Sequence, residues 1–192
     1  MLRNVMVILF VVVFGMIFMR GANATIVLDL NGLYFSDALS GSSDQSNNRT
    51  FYQLFAGFSL DKKDQFQLGW SYTIHSTADT VSSTESTYSS TQMGPGFLWR
   101  IDKDRRWRLA AYYHLQTTGK FKSGSSSEEE WRGYSYSVDF GYQIPLTMNF
   151  EMALRLNYSA AAYNESFDTT TKTDVSYSRS FIYPSIGFTA EL

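Results

Sequence analysis

The two histidines are the residues best suited to acid–base or metal chemistry. His75 is followed by Ser76, and His114 is followed by Leu115 and Gln116. A serine nucleophile needs a histidine base that a carboxylate orients, and no acidic partner is evident beside either histidine. A zinc site takes three or four protein ligands, whereas the chain has two His and no Cys. The sequence therefore predicts no catalytic site, no metal site and no cofactor.

A second set of candidate residues is charged and recurs at alternating positions. Four members are acidic and four are basic: Asp29, Arg100, Arg108, Asp139, Glu151, Arg155, Arg179 and Glu191. Opposite charges in equal number favour ion pairs in an enclosed interior, because an unpaired buried charge is costly. We expect all but Arg179 to form a charge network near one end that closes the interior. An ion-conducting pore is the alternative.

A third set is apolar and could bind a hydrophobic molecule: Leu33, Phe35, Phe51, Phe55, Phe181 and Tyr183. The polar groups available to orient a lipid or fatty acid there are His75, His114, Gln92 and Arg179. Small residues on the fourth and sixth predicted strands are expected to leave volume opposite the rings: Gly94, Gly96, Gly133, Ser135 and Ser137. The alternative is that the rings pack against one another and fill the space.

These residues can meet only if strands carry them. From Thr25 onward apolar and polar residues alternate with period two, and no long helical pattern occurs. In one stretch Phe66 and Leu68 share a face while Gln67 and Gly69 share the other. The alternating stretches are 25–36, 49–60, 65–75, 90–101, 106–117, 131–144, 149–160 and 177–192. The sequence therefore predicts an all-β protein of eight strands.

The connections alternate in length, which predicts the topology. The short ones are 61–64, 102–105 and 145–148; the long ones, rich in Ser, Thr, Gly and Asn, are 37–48, 76–89, 118–130 and 161–176. Short turns at one end and long loops at the other, with both termini at the turn end, predict an antiparallel up-and-down meander.

The face opposite the charges is apolar throughout. Across 40 positions, five per strand, it carries no Asp, Glu, Lys, Arg, His, Asn or Gln. Contact with lipid demands such a face, since a basic residue at the bilayer midplane costs about 2–4 kcal/mol. The other face combines charges with many glycines, which is unusual for a face exposed to water. We therefore expect a transmembrane barrel with a polar lumen, rather than a soluble barrel with an apolar one.

The N-terminus predicts export. Arg3 precedes the apolar run 5–19, and Ala22-Asn23-Ala24 has the small-x-small pattern of a signal peptidase site. That run is shorter than the roughly 20 residues that a spanning helix needs. We expect residues 1–24 to be a cleaved signal peptide and residues 25–192 to be one barrel domain. A net charge of -2 excludes the broad basic field that nucleic-acid binding requires.

The export signal, eight strands, short turns and long loops resemble the small outer-membrane barrels of Gram-negative bacteria, the class of OmpX and the OmpA transmembrane domain. The resemblance covers residues 25–192 and is architectural. It implies short periplasmic turns, long extracellular loops, and recognition of the last strand by the barrel-assembly machinery, although Leu192 replaces the usual terminal Phe. Some members of this class modify lipid A with His, Ser and an acid. Their spacing is not found here, so an enzyme is the least favoured function.

The resemblance implies a monomer that contacts outer-membrane lipids, including lipopolysaccharide. With Arg49 counted, the long loops carry ten acidic and four basic residues, which could bind divalent ions on lipopolysaccharide or an extracellular surface; a solvated cover is the alternative. We expect a non-enzymatic structural or surface-interaction role. The alternative is binding or passage of a small hydrophobic ligand.

Pro95 and Pro184 occupy lipid-facing strand positions, where a bulge or strand end must absorb the missing N–H.

Overall fold

The structure is a computed structural model that describes residues 25–39, 45–81, 84–168 and 171–192. The predicted signal peptide lies outside the described residues. The strands are β1 (Ile26–Leu39), β2 (Gln45–Ser59), β3 (Phe66–Val81), β4 (Thr84–Arg100), β5 (Trp107–Ser123), β6 (Glu129–Pro145), β7 (Phe150–Asp168) and β8 (Thr171–Glu191). Each pairs antiparallel with the next, and β8 pairs with β1 to close a barrel. The predicted eight-stranded up-and-down barrel is confirmed.

The strands are longer than the alternation predicts, and the connections at that end are correspondingly shorter. The predicted loop 76–89 is mostly strand, because β3 continues to Val81 and β4 begins at Thr84, its paired residue. Thr is favourable in strands, but a segment that is polar on both faces shows no alternation and therefore resembles a loop in sequence. The barrel wall continues beyond the apolar band, which corrects the predicted boundaries.

The opposite end consists of short turns, as predicted. Asp61 Oδ1 accepts the backbone N–H groups of Gln65 and Phe66, each at 2.8 Å. The last residue of each Asp-Lys turn adopts a positive φ, 53° at Asp64 and 59° at Arg105. Turns 61–64 and 102–105 therefore share one geometry, and they bring Asp64 and Arg105 to the same rim.

The two faces of the wall divide as the sequence predicts. Leu30 and Leu154 on the outer face are 57% and 55% exposed. Asp29 and Arg155, each adjacent in sequence to one of these leucines, are buried in the interior. Aromatic side chains are exposed near both ends of the outer band, for example Tyr34. Among the described residues, no helix is long and apolar enough to cross a membrane.

Both prolines lie where the hydrogen-bond ladder is interrupted. Pro95 falls within a register shift between Met93 and Gly96 in the β4–β5 ladder. At this bulge a Cβ on Gly94 would lie 2.0 Å from the carbonyl oxygen of Tyr113, so only glycine fits. Pro184 lies two residues beyond Ile186, the last β8 residue paired with β1. A bulge and a ladder end thus absorb the missing N–H groups.

Candidate functional site

The interior nearest the turns holds a cluster of ion pairs, the turn-end cluster. Arg100 is fully buried and contacts Glu191 and Glu151, with Nη2 of Arg100 3.1 Å from Oε2 of Glu151. Arg105 joins the cluster from its turn: its guanidinium lies 3.1 Å from Glu191 and 2.9 Å from Asp64. The cluster ties β4, β7 and β8 to both Asp-Lys turns.

The environment of Asp64 favours its charged form. Partial burial alone would raise its pKa, but hydrogen bonds from Ser59 and Thr25 and the charge of Arg105 outweigh that effect. The pKa of Asp64 is therefore lower than that of an ordinary aspartate.

A second group, the mid-barrel cluster, is centred on Asp29. Arg155 donates to it through both terminal nitrogens, at 2.7 and 2.6 Å, and Arg108 donates at 2.6 Å. The Thr189 hydroxyl adds a further bond at 2.6 Å. Arg108 also donates to Asp139 at 3.2 Å. Two carboxylates and two guanidinium groups thus balance in charge, with every member at most 3% exposed.

Inward-facing glycines make room for these arginines. A Cβ on Gly187 would lie 2.2 Å from Cζ of Arg155, and a Cβ on Gly141 would lie 2.8 Å from Cγ of the same residue. These two glycines are therefore explained by the Arg155 side chain beside them. Without that space the two arginine side chains could not lie across the barrel.

A layer of uncharged polar groups covers the mid-barrel cluster. The amide of Asn31 donates to Asn157 at 2.9 Å, Asn157 donates to Ser185 at 2.6 Å, and Ser185 donates back to Asn31 at 2.5 Å. The three strands β1, β7 and β8 are linked by this closed set of hydrogen bonds. Sequence reasoning missed it, although all three residues occupy inward positions of the alternation.

All seven residues of the predicted charge network form ion pairs, but in two separate clusters. Arg100, Glu151 and Glu191 belong to the turn-end cluster, and Asp29, Arg108, Asp139 and Arg155 form the mid-barrel cluster. Arg105 and Asp64 were missed because they lie in turns, where alternation cannot assign a residue to the lumen or to the outer face. Arg179 lies apart from both clusters, nearer the loops. Its guanidinium carbon is 3.9 Å from the centre of the Tyr88 ring.

The predicted apolar chamber is filled by rings. Phe51 lies 4.5 Å from Tyr183 and 4.9 Å from His75, measured between ring centres, and His75 stacks on Phe181 at 5.3 Å. The cavity left beside these rings and Leu33 is about 30 Å³, too small for an acyl chain. Ligand binding by this set stays a prediction.

Several residues of the predicted chamber lie elsewhere than expected. Phe55 packs lower in the barrel with Leu98, Ala110 and Tyr112, because the Tyr112 ring reaches across the interior towards it. Phe35 is 49% exposed at the upper edge of β1. His114 accepts from or donates to Ser135 at 3.0 Å and stacks on Tyr112. Gln92 is buried and donates to Ser90 at 3.3 Å.

The glycines expected to leave free volume have occupied surroundings. A Cβ on Gly96 would lie 2.5 Å from the Tyr112 ring, and one on Gly133 would lie 1.9 Å from the carbonyl oxygen of Ala162. A large side chain or a close backbone thus takes the space beside each of them. The inference from small residues to an open chamber therefore fails here.

A third group, the aromatic cap, lies in the interior nearer the loops. It consists of Tyr88, Trp131, Ala161 and Tyr163, with Phe121 and Phe181 packed against it. The hydroxyl groups of Tyr88 and Tyr163 are 2.5 Å apart. Arg179 lies over the cap and contacts Tyr88 and Phe181 in cation–π geometry.

The arrangement of these groups does not match a hydrolytic site. The His114–Ser135 pair has the composition of a base and a nucleophile, but both residues are fully buried and their third neighbour is Thr117. Among the residues that the structure describes, no group of three or more His, Asp or Glu side chains could hold a metal ion. The described interior side chains instead form ion pairs, hydrogen bonds and ring contacts with one another.

Comparison with known proteins supports the fold. No protein-family model and no curated protein matches the sequence. Among solved structures, Neisserial surface protein A (NspA) has a TM-score of 0.51 and 14% identity, over 88% of this chain and 97% of that chain. The translocator domain of autotransporter NalP from Neisseria meningitidis has a TM-score of 0.36 and 9% identity, over 96% of this chain and 66% of that chain. The chain has the fold of the small eight-stranded outer-membrane barrels.

Proposed function

We propose that this is a non-enzymatic outer-membrane barrel of a Gram-negative bacterium, exported by residues 1–24, whose closed lumen supports a structural or surface-interaction role. The observation that carries the closed lumen is the mid-barrel cluster. Its two carboxylates and two guanidinium groups lie across the interior between β1, β5, β6 and β7. A water-filled channel would hydrate these groups, whereas they are buried against one another.

Two further layers support closure. The turn-end cluster lies below the mid-barrel cluster, and the aromatic cap lies above it. A permeating ion would therefore have to displace two ionic layers and a set of packed rings. Eight-stranded barrels are narrow enough for their own side chains to fill the interior.

The outer surface supports a location in a lipid bilayer. The apolar band is uncharged on all eight strands and includes exposed aromatic residues at both ends, such as Tyr34 and Phe150. Exposure of such a band to water would be unfavourable, whereas lipid tails cover it without cost. Recognition by the barrel-assembly machinery through β8 and a monomeric state belong to the same proposal.

The wall above the apolar band supports the surface-interaction role. It carries exposed ion pairs, with Lys120 2.7 Å from Glu128 and Lys172 2.6 Å from Glu165. Glu128 raises the pKa of Lys120, and Glu165 raises the pKa of Lys172. These charged, Ser- and Thr-rich strands are suited to contact lipopolysaccharide, with or without bridging divalent ions, or an extracellular partner.

Fractionation of the native host tests this proposal. The protein is expected in the outer membrane, with an electrophoretic mobility that changes on heating because the folded barrel resists detergent at low temperature. The mass of the mature protein is a second readout, and it should correspond to a chain beginning at Thr25. Recovery of a soluble periplasmic protein would contradict the proposal.

The alternative, binding of a small hydrophobic ligand, has one specific observation in its favour. It is the incomplete pairing of β1 with β8, and it supports a site at the barrel wall rather than in the predicted chamber.

A further inference from the structure

The ladder that closes the barrel is short. β1 pairs with β8 only from Val27 with Glu191 to Gly32 with Ile186. On its other side β1 pairs with β2 along its whole length, up to Leu39. Among the described residues, the upper part of β1 and the facing part of β8 therefore have no partner strand on this side. We call this gap the seam.

The sequence explains where the seam begins. Ile26 and Leu192 exchange backbone hydrogen bonds, whereas the N–H of Glu191 points to Asn149 on the other side. The backbone N–H and C=O groups of successive strand residues point to opposite neighbouring strands. In β8 those of the even-numbered residues therefore point to β1. After Ile186 the next such residue is Pro184, which has no N–H to donate. The β1–β8 ladder therefore ends at Ile186, because Pro184 cannot donate the next hydrogen bond.

An apolar groove lies on the outer face directly below the seam. It has a volume of about 460 Å³ and its walls are almost wholly apolar. They include Leu30, Gly32, Tyr52, Leu54, Ile186 and Phe188. Gly32 and Ile186 are also the last pair of the ladder, so the groove leads to the lower end of the seam. Its size is within the range of small-molecule sites, about 300–1,000 Å³.

The seam itself opens at the upper edge of the apolar band. The outward positions change from apolar to polar at this depth, because Tyr34 on β1 is followed by Ser36 and Ile182 on β8 is followed by Ser180. The small cavity at the seam is lined from the interior by Tyr183 and from the outer face by Ile182. Free backbone groups at this depth need polar partners. Lipid headgroups meet the bilayer surface at the same level.

Arg49 supplies a positive charge beside the seam. It pairs with Phe35 across β1–β2 and lines the same small cavity. Its Nε donates to Asn47 at 3.0 Å, and among the described residues no acceptor lies against its terminal nitrogens. An apolar groove that ends at free backbone groups and a guanidinium matches a molecule with an acyl chain and an anionic head.

We propose that the groove and the seam form a binding site for one anionic lipid of the outer leaflet, with an acyl chain in the groove and the headgroup at the seam beside Arg49. The proposal rests on the membrane location given above. Fractionation tests that location separately, so a protein found in the outer membrane without this lipid site would overturn only the present inference.

Amide hydrogen exchange tests whether the seam is open. The N–H groups of Leu30 and Tyr34 both point from β1 towards β8, but only Leu30 lies within the ladder. In the folded protein in micelles, we expect the Tyr34 amide to exchange much faster than the Leu30 amide. Equal protection of the two amides would show that the ladder continues and would overturn the proposal.

Native mass spectrometry of the detergent-extracted protein tests the ligand, with phosphatidylglycerol as the probe. Gly32→Phe fills the groove, and Ala111→Phe is the matched enlargement of the outer face on β5. We expect Gly32→Phe to retain at least about tenfold less lipid than the wild type, a change of about 1.4 kcal/mol, and Ala111→Phe to retain as much as the wild type. Heat-modifiable mobility verifies that each variant is folded. Equal retention by the two variants would overturn the groove.

The charge of the headgroup is tested with Arg49→Gln. The wild type should prefer phosphatidylglycerol to phosphatidylcholine, and the variant should bind the two equally while still retaining an acyl-chain lipid. A wild type that binds both lipids equally would overturn the assignment of an anionic head.

Discussion

Asp29→Asn removes the central charge of the mid-barrel cluster while preserving the size of the side chain. Asp29 accepts four hydrogen bonds: two from Arg155, one from Arg108 and one from Thr189. Arg108 keeps Asp139, but Arg155 loses its carboxylate partner. One buried charge is left uncompensated, at a cost of about 3–5 kcal/mol. That is a large share of a typical unfolding free energy of about 5–15 kcal/mol.

The assay is urea unfolding in lipid vesicles, followed by the heat-modifiable band on a gel. Glu128→Gln is the matched control, since it removes one charge from the exposed pair with Lys120 and should cost about 0–1 kcal/mol. The double variant Asp29→Leu with Arg155→Met removes both charges and should be far less destabilised than Asp29→Asn. A loss below about 1 kcal/mol for Asp29→Asn would refute the buried network.

Three further predictions concern other levels of the barrel. Gly187→Ala places a Cβ 2.2 Å from Cζ of Arg155, and the displaced side chain should cost about 1–3 kcal/mol in the same unfolding assay. The pKa of Asp64 is lowered in the folded state, so its carboxylate stabilises the barrel above the ordinary pKa of about 4. This contribution is lost as pH falls through the lower folded pKa. Asp64→Asn should therefore be less stable than the wild type at neutral pH and equal to it in strong acid. Tyr163→Phe removes the hydroxyl contact with Tyr88 and should cost about 1 kcal/mol without opening the lumen.

Each of these three has an outcome that contradicts it. Unchanged unfolding of Gly187→Ala would mean that Arg155 does not need this space. A stability difference for Asp64→Asn that is the same at neutral and acid pH would exclude the titration of that carboxylate as its cause. Ion conductance by Tyr163→Phe would mean that the aromatic cap alone closes the interior.

The sequence predicted the strands best within the apolar band. Leu30, Leu154 and their neighbours alternate with polar residues, as expected of a wall with one face towards lipid and the other towards the lumen. The charged residues between them were identified as inward for the same reason. Period two fixes the side of every residue once one face is assigned.

The same signal disappears beyond the apolar band. In segment 76–89 both faces are polar, so the pairing of Val81 with Thr84 could not be predicted from alternation. Turn residues have no assigned side either, which is why Arg105 and Asp64 were missed. Contacts across the barrel, such as Phe55 with Tyr112, depend on the length and direction of side chains from distant strands.

Pro184 is recognisable from the sequence as a problem for the ladder, but its consequence was not predictable. The sequence does not show which neighbour a given N–H faces, because that depends on the register of β8 against β1. Only the pairing of Ile26 with Leu192 reveals that the missing N–H would have faced β1. The seam and its groove follow from that register.

Planar-bilayer recording tests the central claim, a membrane barrel with a closed lumen, most directly. The wild-type protein, with incorporation verified by its heat-modifiable mobility, should insert and show no steady single-channel current over the stable voltage range. Reproducible single-channel steps from the unmodified protein would contradict the account, in which the mid-barrel cluster and the aromatic cap block the passage of ions.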